Sequence, residues 1–223
     1  MNTQDLSKYD YCIVVDRSGS MGTSDCPGNK TRWEQAKEWA KAIAQKAAQY
    51  DDDGIDVVFF DDSLKSYTGV TPSKVDELFR TLRPNSSTDT AKAIKFVLDG
   101  YFERKGGSSK KSLLGGMFGG SKKDPFAKTA TAKPLIIICI TDGEPNSERE
   151  LRNVIIEATK KLDSDQEVGI TFIQVGSNSG ARRFLKELDD NLTGAKYDIV
   201  DCKDYEEMSN TSIEDVFLGA VND

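Results

Sequence analysis

The runs at residues 11–15, 55–60, 135–140 and 169–175 are dominated by apolar side chains, and stretches whose apolar residues recur at helical spacing separate them. Strands this apolar are buried on both faces. Their alternation with helices implies a mostly parallel sheet covered on each side, an α/β, doubly wound architecture. Residues 64–68, returning after the turn Asp61-Asp62-Ser63, are expected to add one short antiparallel edge strand, and residues 197–200 a further strand. Helices are predicted over residues 31–49, 72–82, 88–102, 147–162, 181–188 and 205–218. Thr31-Arg32-Trp33-Glu34 and Ser147-Glu148-Arg149-Glu150 both carry a capping-box signature. Trp33, Ala36, Ala40, Ile43, Ala44 and Ala47 share one face of the first helix, so Trp33 reads as a core anchor.

Open parallel sheets bind ligands beyond the carboxyl ends of their strands, and three polar clusters fall where this sheet would deliver them. Asp16-Arg17-Ser18-Gly19-Ser20 follows the first strand, Ser86-Ser87-Thr88-Asp89-Thr90 precedes a helix, and Thr141-Asp142-Gly143-Glu144-Pro145 follows the strand at 135–140. One carboxylate and two hydroxyls at alternate positions offer hard oxygen ligands of the kind magnesium takes, too few to fill an octahedron. A plainer reading is also available: Asp, Ser and Gly are ordinary turn and helix-start residues.

Together the clusters resemble the von Willebrand factor type A family, whose metal-ion-dependent adhesion site is written Asp-x-Ser-x-Ser with a distant Thr and a distant Asp. The matching positions are Asp16, Ser18, Ser20, Thr88 and Asp142, and the strand-helix alternation follows the family from about residue 9 to residue 221. Where many members place two glycines before the threonine, this chain has Ser86-Ser87. The resemblance implies a Rossmann-like fold and a bound Mg2+, with Mn2+ or Ca2+ as alternatives. It further implies a protein partner presenting an Asp or Glu to the open metal position. Intracellular bacterial members of the family act beside ATPases or within stress-response operons, including tellurium-resistance clusters, and the same association is implied here. Arg17 is expected to be exposed, either orienting the partner's acid or simply lying on the surface.

Composition narrows the chemistry. The chain contains no histidine, which leaves the Gly-x-Ser-x-Gly-like turn around Ser20 without a base for nucleophilic catalysis. Lys110-Lys111-Ser112 lacks the glycine spacing of a phosphate-binding loop, and Asp51-Asp52-Asp53-Gly54 lacks the alternate ligands and closing Glu of a calcium loop. A net charge of -7 argues against a nucleic-acid-binding body. Yet residues 104–133 hold eight basic side chains against Asp124 alone, within a Gly/Ser/Lys-rich insertion that interrupts the alternation. That insertion reads as a solvated excursion, or as a docking element for a second partner or an anionic surface through the island at 113–118. It is expected at the end of the sheet opposite the metal. The four cysteines, Cys12, Cys26, Cys139 and Cys202, show no Cys-x-x-Cys spacing and read as reduced thiols. No apolar run reaches the ~20 residues that span a bilayer, and residues 1–8 lack the core of a signal peptide, so a cytoplasmic location and one domain over 1–223 are expected.

The function expected is therefore non-enzymatic, metal-dependent protein binding. Two other readings stay open: a metal-assisted phosphatase or hydrolase, with Glu144 as a possible base, and a scaffold whose metal site is vestigial.

Overall fold

The computed structural model describes residues 5–52, 54–85, 87–106, 132–143 and 145–222. A six-stranded sheet runs in the order β3-β2-β1-β4-β5-β6. Its strands are β1 (Asp10–Asp16), β2 (Ile55–Phe60), β3 (Leu64–Val70), β4 (Leu135–Thr141), β5 (Val168–Gln174) and β6 (Val200–Lys203). All neighbours are parallel except β2 and β3, which pair antiparallel at the edge. The helices are α1 (Arg32–Ala47), α2 (Pro72–Thr81), α3 (Thr90–Lys105), α4 (Glu148–Thr159), α5 (Ser179–Asp190), α6 (Tyr205–Asn210) and α7 (Ile213–Asn222).

Period-two alternation along each strand divides the core into two layers. Ile13, Val15, Val57, Phe59, Ile136 and Ile138 pack with Trp33, Ala40 and Ile43 of α1, Phe79 of α2 and Phe217 of α7. Cys12, Val14, Val58, Ile137 and Phe172 face the other way, against Ile94 of α3, Ile155 of α4 and Leu188 of α5. Strands enclosed on both sides have no use for polar positions, hence the near-continuous apolar run of β4. Trp33 is the expected anchor, with ring centroids 4.5 Å from Phe79 and 5.9 Å from Phe59. All four cysteines are buried and free.

Local signals fixed most boundaries, and three expectations need correction. The helix expected to open at Thr88 starts at Thr90, because the Asp89 carboxylate accepts the Lys92 amide and caps it. The strand expected at 197–200 lies at Val200–Lys203, where Asp201 and Lys203 pair with each other and disguise it as a polar stretch. The last helix is two, because the Ser212 hydroxyl accepts the Asp215 amide and restarts the chain as α7.

Chain topology reverses between β1 and β4. From β1 the chain steps outward to β2 and β3, then crosses back through α2 and α3 to place β4 on the other side of β1. Their register pairs Val15 with Ile140, so Asp16 and Asp142 leave neighbouring strands at one edge. At the opposite edge lie the end of α3 and the start of β4. There Lys105 pairs with Asp163 and Glu167, and Lys133 lies 3.7 Å from Asp10 at the start of β1. Of the expected insertion at 104–133, residues 107–131, including the island at 113–118, lie outside the described residues, as do Ser86 and Glu144. Among the described residues no helix is long and apolar enough to cross a membrane.

Candidate metal centre

Asp16 is fully enclosed at the end of β1. One oxygen accepts the Ser18 amide at 2.8 Å and the other the Thr141 hydroxyl at 2.7 Å. Thr141 in turn accepts the Gly143 amide at 3.1 Å, tying the β4 loop to the β1 loop. Burial, followed by the charge of nearby Asp142, pushes the Asp16 carboxyl up to about 6, against the pull of its Ser18 and Thr141 hydrogen bonds. Two carboxylates converge where neither is solvated.

The hydroxyls of Ser18 and Ser20 stand 3.0 Å apart, Ser18 buried and Ser20 exposed. Main-chain bonds fasten the three loops. The Arg17 amide donates to Phe60 O at 2.7 Å, the Asn85 amide to Arg17 O at 2.7 Å, and the Asn146 amide to Thr88 O at 3.1 Å. Thr88 is buried in that seam. Asp16 ends β1, and Ser18, Ser20, Thr88 and Asp142 lie on the three loops that these bonds join. Gly143 makes the turn after Asp142 with φ +85°, and a Cβ there would lie 2.8 Å from that of Ala181.

Arg17 departs from expectation. It is buried and forms an ion pair with Asp61, and its Nη1 reaches Arg83 O at 3.4 Å. Its guanidinium turns inward to meet the enclosed Asp61 carboxylate in a charge-assisted contact. Arg17 braces the loop from beneath and is not presented to a partner.

Sequence reasoning missed Arg32. This first residue of α1 donates from Nη1 to Asp142 Oδ2 at 2.9 Å, and from Nε and Nη2 to the two oxygens of Asp25 at 2.9 and 2.8 Å. The only local hint was its place directly after a strong helix cap. Asp142 Oδ1, by contrast, is buried with no hydrogen-bond partner.

That orphaned oxygen tests the site for a cation. A buried carboxylate oxygen without a donor is costly, and a divalent ion shared with Asp16 would satisfy it. Among the described residues no three carboxylate or thiol side chains converge, so an ion here would rest on two carboxylates and on hydroxyl oxygens. Such a donor set suits a hard cation such as Mg2+ or Mn2+. The residues present fit the group.

The profile described as von Willebrand factor type A domain matches residues 11–144. Among solved structures, the chain is similar to manganese-loaded Plasmodium vivax TRAP protein at 16% identity and a TM-score of 0.61, covering 92% of this chain and 72% of that one. It is similar to the SpRpn10 VWA domain at 13% identity and a TM-score of 0.58, covering 93% of each. A von Willebrand factor type A protein from Catenulispora acidiphila follows at 14% identity and a TM-score of 0.57, covering 96% of this chain and 42% of that one. Identities this low speak for the fold alone. No curated protein sequence matches. With the profile spanning more than half the chain and the sheet order in place, the chain belongs to the von Willebrand factor type A family, a family of protein-interaction modules.

Proposed function

We propose that this chain is a non-enzymatic protein-binding module gated by a divalent cation, with Mg2+ as the resident ion and Mn2+ or Ca2+ as substitutes. The observation that carries the proposal is the partnerless Asp142 Oδ1 beside the enclosed Asp16 carboxylate at the β1/β4 switch point. Asp16, Ser18 and Ser20 would hold the ion, with Asp142 and Thr88 binding directly or through water. When bound, the ion supplies a hard, open coordination position that suits a carboxylate oxygen. The partner is therefore a protein presenting an Asp or Glu, and we expect to find it in the cytoplasm. A manganese-loaded structure among the similar folds is in keeping with a divalent ion.

Recovery of bound proteins with magnesium and with EDTA, alongside the Asp16→Ala variant, tests this directly. Magnesium should be required for recovery, and Asp16→Ala should retain none. Once a partner segment is known, replacing each of its acids in turn should expose one that is indispensable. Partner recovery indifferent to EDTA, or magnesium-dependent turnover of a generic phosphoester lost in Asp16→Ala, would refute the proposal.

A further inference from the structure

Arg32 occupies one of the two oxygens that Asp142 has to offer. Three constraints fix it there. Its backbone follows the Thr31 cap, where Glu34 and Thr31 bond reciprocally, and its amide donates to Thr23 O at 2.9 Å. Its guanidinium is gripped by both oxygens of Asp25, which is itself held by the Ser177 amide and hydroxyl, each at 3.2 Å. Its Nε passes so close to Gly176, a residue at φ +78°, that a Cβ there would lie 2.4 Å away. The remaining nitrogen, Nη1, then has Asp142 Oδ2 at 2.9 Å, with the Arg32 side chain 12% exposed and that of Asp142 1%. Planar, forked and always charged, arginine can hold two carboxylates in fixed directions; lysine cannot.

Consequently Asp142 meets the rim with Oδ1 alone. The distinction matters for the choice of ion. Magnesium demands a tight octahedron and takes carboxylates through one oxygen, whereas calcium accepts six to eight ligands and gains from bidentate carboxylates. Resting on the metal reading above, we propose that Arg32, locked by Asp25, is a positioning residue that confines Asp142 to one-oxygen coordination and thereby selects magnesium or manganese over calcium.

A mere counter-charge would act otherwise. It would weaken both ions alike by lowering the negative potential at the rim, leaving their ratio untouched. Calorimetric titration of the full chain with Mg2+ and separately with Ca2+ separates the two roles, using wild type, Arg32→Gln, Arg32→Lys and Asp25→Asn, each checked for folding by its melt in EDTA. Arg32→Gln should tighten both ions but calcium more, lowering the magnesium-to-calcium affinity ratio on the order of tenfold, the scale on which outer-shell groups tune metal sites. Arg32→Lys should return affinities towards wild type while leaving the ratio low. Asp25→Asn, which keeps the arginine and loosens its grip, should lower the ratio in the same direction. If every variant binds metal with the wild-type ratio, the assignment to Arg32 falls and the metal site stands. If wild type binds neither ion, both fall together.

Discussion

Asp16→Asn separates the cost of the buried carboxylate from its use. In the metal-free protein the carboxyl titrates near 6 rather than at its ordinary 3.8, because burial and Asp142 penalise its charge. Between those values the native state binds more protons than the unfolded chain, so stability falls as pH rises through the window. At about 1.4 kcal/mol per pH unit, the two-unit gap corresponds to roughly 3 kcal/mol above pH 7. Asparagine keeps an acceptor for the Ser18 amide but no longer takes the Thr141 proton, a loss of about 1 kcal/mol. In EDTA at pH 7.5 the variant should therefore be more stable by about 2 kcal/mol, a rise in melting temperature of roughly 4–8 °C for a domain of this size. At pH 4 the advantage should vanish or reverse. Saturating magnesium at about 100 times its dissociation constant should add roughly 2.7 kcal/mol to wild type, and nothing to the variant. Thermal melts across pH 4–8, with EDTA and with magnesium, provide the readout. A variant less stable than wild type at pH 7.5 in EDTA, or a difference that does not move with pH, would refute the electrostatic account of Asp16.

Trp33→Ala should cost about 3–5 kcal/mol in denaturant unfolding, since it removes one ring of the mutually packed cluster with Phe59 and Phe79. Gly143→Ala forces a left-handed backbone on a residue with a Cβ and drives it against Ala181. We expect a loss of about 1–3 kcal/mol in the melt, together with a weakened magnesium response as Asp142 is displaced. Replacing residues 107–131 with a short Gly-Ser linker should leave the magnesium-induced shift intact, because the flanking α3 end and β4 start lie at the edge away from Asp16. A salt-sensitive second contact made by its lysines should disappear in pull-downs at low ionic strength. Loss of the magnesium shift in a folded linker variant would overturn this two-ended arrangement.

The parts of this molecule visible in its sequence are those governed by short-range rules. An apolar run such as 135–140 announces a central strand, Thr31 and Glu34 announce a helix start, and the Asp-x-Ser-x-Ser spacing after β1 announces a rim cluster. Arg17 and Arg32 escaped for the same reason as each other. The carboxylates that draw them to the rim lie far along the chain, Asp61 at 44 positions and Asp142 at 110, and although Asp25 is only seven positions from Arg32, nothing local distinguishes a guanidinium that turns inward from one that faces water. β6 was misplaced because Asp201 and Lys203 neutralise each other within the strand, so hydropathy saw a loop where pairing made a sheet edge.

The seam joining the three rim loops runs through main-chain atoms: Arg17 to Phe60 and Asn85, Thr88 to Asn146. Peptide groups are the same whatever side chains they carry. A rim assembled in this way can change the residues around its edge without coming apart, so natural variation and deliberate grafting alike have a surface on which recognition can be rewritten while the cluster beneath keeps its shape.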